Sequence, residues 1–489
     1  MTDTTRREVL GWLAGLGVAA GAGLLAPGRA DASACVTALR GVTLVDSSGV
    51  RPGTTIVLAG DEVLAVGSHD LPLPRGCAVL DLAGRYVIPG LWDMHVHGAF
   101  LDRITLPLCL VNGVTGIREM WGFPPIYELR GRIERGEVFG PRLVVGSSII
   151  DGPHSTLPGA LVVGTPDEGR QAVRDAKAQG ADFVKVYSYL DRPTLAAIAD
   201  ECARQAITFA GHCSNHVALG DASDLGQRTF EHVYGLPLAT STRETRLRQA
   251  IADLPLDPAN SFAWFKQVLE LERQATLSHS GSKAARLANR LRRNGSALCP
   301  TLVAMRVYSS PADAFADDPR MKYMPAFYRD YWRDGLENWA PVTPREVRDQ
   351  AEFFRRRQDQ VAEMHAHGVE VLVGTDAGNP YSFSGFSVHD ELHLLVEAGL
   401  SPGDALKSGT RNAAVKPGAP ANLVVLDGNP LADIRNTRRI HTVLTRGRVL
   451  GPAERQRMLH EVEKAAQEPM PPTVTTTCCQ AVSRRSRPR

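Results

Sequence analysis

The sequence predicts an α/β protein, a (β/α)8, TIM-like barrel joined to a small β-sandwich built from both ends of the chain. Three observations lead there. Short apolar runs alternate with charged, helix-patterned segments through the middle of the 489-residue chain, the alternation that builds parallel strands flanked by helices. A different texture, short strands punctuated by Gly and Asp, occurs once before this region and once after it. Several of the apolar runs end in His or Asp, and barrels of this kind gather their active groups at the C-terminal ends of the strands.

Composition supports a large folded core, since 43% of residues are hydrophobic. The net charge is +2, from 55 basic and 53 acidic residues. That balance gives no reason to expect nucleic acid or an anionic membrane as partner.

The elements follow in chain order. Residues 1–32 read as an export signal. Thr5-Arg6-Arg7-Glu8-Val9-Leu10 is a twin-arginine pattern, a Gly/Ala/Leu-rich run follows to Leu25, and Ala30-Asp31-Ala32 offers a small-residue cleavage site. A periplasmic or extracellular location is expected, with an uncleaved anchor as the alternative. No later segment is apolar enough to span a membrane. Residues 33–88 form the first part of the sandwich, in GVTLVDSSGV and TTIVLAGDEVLAVG.

Residues 89–410 form the barrel. Its strands are read at Val87–His95, Val114–Glu119, Arg142–Ile150, Phe183–Tyr187, Ile207–His212, Thr229–His232, Ala297–Val303 and Val369–Val373. Residues 236–294 and 305–367 are charged helical insertions, able either to shape a pocket or to stand as solvated helices. Residues 411–451 (ANLVVLDGNPL, HTVLTRGRVL) return to the sandwich. Residues 452–489 begin with a helical pattern, and the segment is read as a disordered tail. The cysteines, Cys35, Cys77, Cys109, Cys202, Cys213, Cys299, Cys478 and Cys479, show no C-x-x-C spacing, and most read as free buried thiols.

The chemistry sits at the strand ends. GLWDMHVHG brings His95 and His97 to one side of strand one, because alternate strand residues share a face. ADFVKVYSY carries Lys185 in an apolar run, ITFAGH ends in His212, RTFEH in His232, and VEVLVGTD in Asp376. Imidazoles and a carboxylate are ligands for zinc and related metals. Burial lowers the pKa of a lysine, and a neutral amine adds carbon dioxide to give a carbamate able to bridge two cations. Each residue also has a bland reading: a salt-bridged Lys185, or Asp376 as a helix cap. His216, in HCSNH, rivals His212 but lies past the strand. Met364-His365-Ala366-His367-Gly368 repeats the HxH pattern before a strand instead of after one, so it falls at the opposite face.

With these residues in place, the chain resembles the amidohydrolase superfamily, in particular its imidazolonepropionase-like and Xaa-Pro or Xaa-Arg dipeptidase-like branch. GLWDMHVHG, GVTGIREM, ADFVKVYSYL, AGHCSNH, FEHVYGL, VLVGTDAG and ANLVVLDGNPLADI carry the resemblance over about residues 36–451. It implies two divalent metal ions, zinc being expected, with His95, His97, carboxylated Lys185 and Asp376 on one and Lys185, His212 and His232 on the other. It further implies cleavage of a C–N amide bond by metal-activated hydroxide, with Asp376 as proton shuttle. The substrate would be an N-acyl amino acid or a dipeptide. A cyclic amide, or a non-catalytic metal- or ligand-binding relative, is the alternative. Tyr187 is a candidate donor to the substrate carbonyl or a packing residue, and Arg118 and His154 are candidate contacts to an acidic group or structural residues. A homo-oligomer is compatible with this reading. One departure stands out: after TRNAA, Val415-Lys416-Pro417-Gly418 follows almost at once, shorter than the family's usual connection.

Overall fold

The computed structural model describes residues 36–469, apart from 158, 258, 259 and 338. The export signal and the residues from 470 onward lie outside the described residues. Strands β1 (Val36–Asp46), β2 (Gly49–Ala59), β3 (Glu62–Ser68), β4 (Ala78–Asp81) and β5 (Tyr86–Pro89) open the chain. They are followed by β6 (Leu91–Val96), β7 (Val114–Glu119), β8 (Arg142–Val145), β9 (Ile150–Asp151), β10 (Leu161–Val162), β11 (Phe183–Val186), β12 (Thr208–Gly211), β13 (Thr229–Glu231) and β14 (Ala297–Cys299). The last three are β15 (Leu423–Leu426), β16 (Ile440–Thr445) and β17 (Arg448–Leu450).

Both chain ends share one sheet. Its order is β17-β16-β15-β5-β1-β2-β3, with β4 also paired to β1, so the strands expected to form a sandwich are hydrogen-bonded into one continuous eight-stranded sheet. β1 has bulges between Leu39 and Leu44, and bulges bend and twist a strand. That lets β1 serve β4 through Thr37–Arg40 and β5 through Thr43–Leu44. One face buries Leu39, Leu44, Ile56, Val87, Leu423 and Leu444.

The first barrel strand was expected as one run, Val87–His95. The structure divides it at Gly90: β5 belongs to the eight-stranded sheet and β6 to a parallel sheet. Gly90 is required there, since a Cβ would lie 2.1 Å from Thr115 Oγ1. The middle of the chain is α/β with parallel strands, in one sheet β6-β7-β8 and another β10-β9-β11-β12-β13-β14. Parallel bridges join Gly146 to Phe183, Leu298 to Val371, and Val96 to Ala377. The expected eighth strand, Val369–Val373, is present as this bridged segment and not as a ladder. Just beyond it a side chain replaces backbone pairing: Asp93 accepts the N–H of Thr375 at 3.0 Å. Strands three and seven are likewise shorter than expected, ending as ladders at Val145 and Cys299. Leu91, Ile117, Val145, Val184, Phe230, Leu298 and Val371 pack into one large core with the surrounding helices.

The short link after Ala413 is docked on the small sheet. Ser47 N–H donates to Ala413 O at 3.1 Å, Val415 N–H to Asp46 Oδ2 at 2.8 Å, and Gly418 N–H to Val63 O at 2.9 Å. The segment read as a disordered tail begins with the helix Pro452–Ala465. It buries Val462 and Ala465 against Leu101, Ile104 and Leu108, and Arg455 Nε donates to Val111 O at 2.9 Å. No described helix is long and apolar enough to cross a membrane.

Candidate active site

β6 is buried along almost its whole length, so its inward side chains meet the protein interior. Asp93 and His95 are both wholly buried. The Asp93 carboxylate accepts from His95 N at 3.2 Å and from both the N–H and the hydroxyl of Thr375, at 3.0 and 2.5 Å. Asp376 N–H donates to His95 O at 2.8 Å. One carboxylate thus locks the end of strand one to the segment that carries Asp376.

The functional atoms converge. His95 Nε2 and His97 Nε2 lie 3.2 Å apart, and they are 3.3 and 3.4 Å from Asp376 Oδ1. The rings of His95 and His232 are 4.6 Å apart between centroids, and those of His212 and His232 4.8 Å. Three of the four imidazoles have Nδ1 engaged from behind: His95 with Glu231 Oε2 at 2.7 Å, His212 with Ser188 Oγ at 2.8 Å, His232 with Thr301 Oγ1 at 2.7 Å. An ionised carboxylate can only accept, so His95 carries its proton on Nδ1 and presents the Nε2 lone pair. His232, Thr301 and Asp376 all hold positive φ, at 61°, 47° and 59°. Non-glycine residues in that region are strained and cluster at functional sites.

The electrostatics fit a cation. Lys185 Nζ, Asp376 Oδ1 and His97 Nδ1 are buried without a hydrogen-bond partner, which is costly unless something else satisfies them. Burial brings the Lys185 amine down to about 8, against the pull of Glu231 and Asp376. Burial raises the Asp376 carboxyl to about 7, opposed by Lys185. Burial, with Lys185 close by, lowers His97 to about 3 and holds His95, His212 and His232 well below the usual imidazole range. His95, His232 and Asp376 offer ligand atoms all within 4.8 Å of one another. Lone pairs that converge, imidazoles kept neutral and orphaned polar atoms together make a donor set for divalent metal.

The structure brings His95, His97, Lys185, His212, His232 and Asp376 together. It adds Tyr187, whose ring stacks on His212 at 3.9 Å and lines the cavity. His216 stacks on Trp264 instead, and His365 sits by Asp404 at 3.7 Å, away from the cluster. Arg118 and His154 were each expected as a contact to an acidic group or as a structural residue, and neither lines the cavity. Arg118 is buried beneath the ligands: Nε donates to Met94 O at 2.6 Å, Nη1 to Thr229 Oγ1 at 3.1 Å and Nη2 to Glu231 Oε1 at 2.9 Å. Each of its three nitrogens is thereby held inside the protein. His154 takes a positive φ of 75° in its loop, is exposed, and does not line the cavity; its neighbours Thr156 and Leu157 do.

Sequence reasoning missed Glu231, Thr301 and Ser188, which hold the imidazoles. Glu231 adjoins His232 in FEH, and that adjacency was the only signal for it. It missed the walls as well. The cavity has a volume of about 150 Å³, with His97, His212, His232 and Asp376 at its base. Phe265, Met305, Tyr308, Tyr328, Tyr331 and Trp339, all from the two helical insertions, form much of its wall. The insertions therefore shape the pocket.

Comparison with known proteins places the chain in a family. The model of the amidohydrolase family matches residues 86–450. Allantoinase of Streptomyces avermitilis is 39% identical over 59 residues, a match that covers 12% of this chain and 13% of that relative. The solved bottromycin amidohydrolase is 26% identical with a TM-score of 0.69, over 88% of this chain and 90% of that one. A solved Xaa-Pro dipeptidase shares the fold at 19% identity and a TM-score of 0.61, over 85% of this chain and 100% of that one. The chain belongs to the amidohydrolase family, hydrolases of carbon–nitrogen bonds.

Proposed function

We propose that the chain is a binuclear metal-dependent amidohydrolase that cleaves a C–N amide bond with activated water as nucleophile. The observation that carries this reading is the approach of His95 Nε2 and His97 Nε2 to Asp376 Oδ1, at 3.3 and 3.4 Å. The parallel strands and the three bridges that link them support a complete (β/α)8 ring, with these groups at its C-terminal rim.

His95, His97, Lys185 and Asp376 would hold one ion, and Lys185, His212 and His232 the other, zinc suiting the donor set. Lys185 would serve as its carbamate, a reading supported by a buried amine without a partner whose pKa burial depresses. Divalent ions held there supply Lewis acidity and make water acidic enough to attack near neutral pH. Asp376 takes the proton from the attacking water and delivers it to the leaving nitrogen. Tyr187, stacked on His212 and lining the cavity, would donate its hydroxyl to the carbonyl oxygen and stabilise charge growing there. The aromatic walls exclude bulk water from the exchange. Acyclic amides, among them N-acyl amino acids and dipeptides, form the substrate class. The twin-arginine motif supports export to the periplasm or beyond.

The test is purification with zinc and bicarbonate, followed by elemental analysis and a panel of acyclic and cyclic amides assayed for amine release. Two metal ions per chain and release from acyclic members are expected. A chain that binds no metal and releases no amine refutes the reading.

A further inference from the structure

We propose that the substrate is an uncharged amide bearing an aromatic group next to the scissile bond, and that a free carboxylate at that position is rejected. This inference rests on the hydrolytic reading above and narrows its acyclic amides to those without a free carboxylate beside the scissile bond, which sets aside the free N-acyl amino acids and dipeptides named there. Its basis is the charge and shape of the cavity wall.

No described residue that lines the cavity is lysine or arginine. The cations nearby are committed elsewhere. Arg118 spends its guanidinium on Met94, Thr229 and Glu231. Arg357 lies behind Tyr234, at 5.7 Å from its ring, packs over Phe353 at 3.9 Å, and faces Glu272 at 3.5 Å. Lys185 is wholly buried and does not line the cavity. A carboxylate beside the scissile bond would meet no lysine or arginine on this wall, and the cations proposed at the base would be taken up by their ligands, the scissile carbonyl and the attacking water, so its desolvation would go uncompensated. The wall's polar side chains outside the metal cluster and the tyrosines, Thr156, Ser188 and Asn379, are neutral and suit an amide.

The aromatic rings supply the positive half of the argument. Trp339 meets Phe262, Tyr308 and Phe265 at 4.6, 5.3 and 5.8 Å between centroids, and Phe265 meets Tyr234 edge-on at 5.8 Å. Rings braced against one another in this way present fixed faces and edges to a further aromatic group. The volume of about 150 Å³ is of the order that admits a benzene-sized ring.

The experiment uses the metal-loaded full chain and three compounds. N-benzoyl-phenethylamine and N-benzoyl-phenylalanine differ only in the carboxylate, and N-acetyl-methylamine lacks the rings. Binding is read by tryptophan fluorescence and turnover by amine release. The neutral aromatic amide should bind about tenfold or more tighter than either other compound and show the highest kcat/KM. Trp339→Ala should weaken its binding by about tenfold with metal content unchanged. Equal or tighter binding of N-benzoyl-phenylalanine or N-acetyl-methylamine, or no binding by any of the three, overturns the inference. The two readings separate cleanly. Selective binding without amine release upholds the pocket assignment and sinks hydrolysis, whereas amine release with no preference between the twins does the reverse.

Discussion

Replacing Glu231 by Gln tests the support beneath the ligands. Glu231 is fully buried and accepts from three donors: His95 Nδ1 at 2.7 Å, Arg118 Nη2 at 2.9 Å, and the hydroxyl of Thr229. A glutamine keeps the shape but turns one acceptor oxygen into an NH2 donor. In either orientation the buried guanidinium of Arg118 loses its counter-charge, at a cost of roughly 3–5 kcal/mol. If the new nitrogen faces His95, the ring must move its proton to Nε2, the nitrogen that would bind metal. Loss of such a supporting partner weakens metal affinity by about 10–100-fold. Denaturant unfolding of Glu231→Gln and metal retention against a competing chelator read the two costs. A variant within about 0.5 kcal/mol of the parent that also keeps its metal affinity would refute the reasoning.

Three further outcomes follow from the same geometry. Asp376→Asn should fold normally and lose about 10²–10⁴-fold in turnover, measured as amine release alongside circular dichroism; full activity would remove Asp376 from the proton path. Lys185→Ala should lose one or both metals by elemental analysis and regain part of its activity with short carboxylic acids, and an unchanged metal content would exclude the carbamate bridge. Glu391 is raised by burial from its ordinary 4.5 to about 8, although it accepts from Leu302 and Val303 N–H at 2.9 and 2.8 Å. Between those values the folded chain holds a proton that the unfolded chain has released. The group's contribution therefore makes stability fall as pH rises, by at most about 1.4 kcal/mol per pH unit. Glu391→Gln should flatten that slope between pH 5 and 8 in denaturant titrations, and an unaltered slope would show that the residue does not carry it.

The candidate cluster was legible because its residues stand at the ends of apolar runs, where strand periodicity alone says which way they point. His95 and His97 needed only alternation, and His212 was separated from His216 by where its run stops. The supporting groups were not legible, because they depend on pairs far apart in the chain: Glu231 meets His95 across 136 positions. Arg118 was left open between the pocket and a structural role for the same reason. Its place near a strand end suggested the pocket, yet its partners Thr229 and Glu231 lie on another strand. The aromatic wall was hidden in helices whose charged pattern predicts a solvated face and is silent about Phe265, Tyr308 or Trp339. The helical pattern at the start of residues 452–489 was legible but the docking of the helix Pro452–Ala465 was not, because only a narrow side of it, at Val462 and Ala465, meets the core.

The joining of β5 to β15 has a consequence for biogenesis. Tyr86–Pro89 pairs with Leu423–Leu426, so an early strand waits for a partner synthesised hundreds of residues later. Contacts of such long sequence separation form slowly, and they leave an unpaired strand edge exposed in the meantime. A nascent or prematurely ended chain therefore carries an open adhesive edge, and only a polypeptide extended past β15 can shield β5 from aggregation or proteolysis.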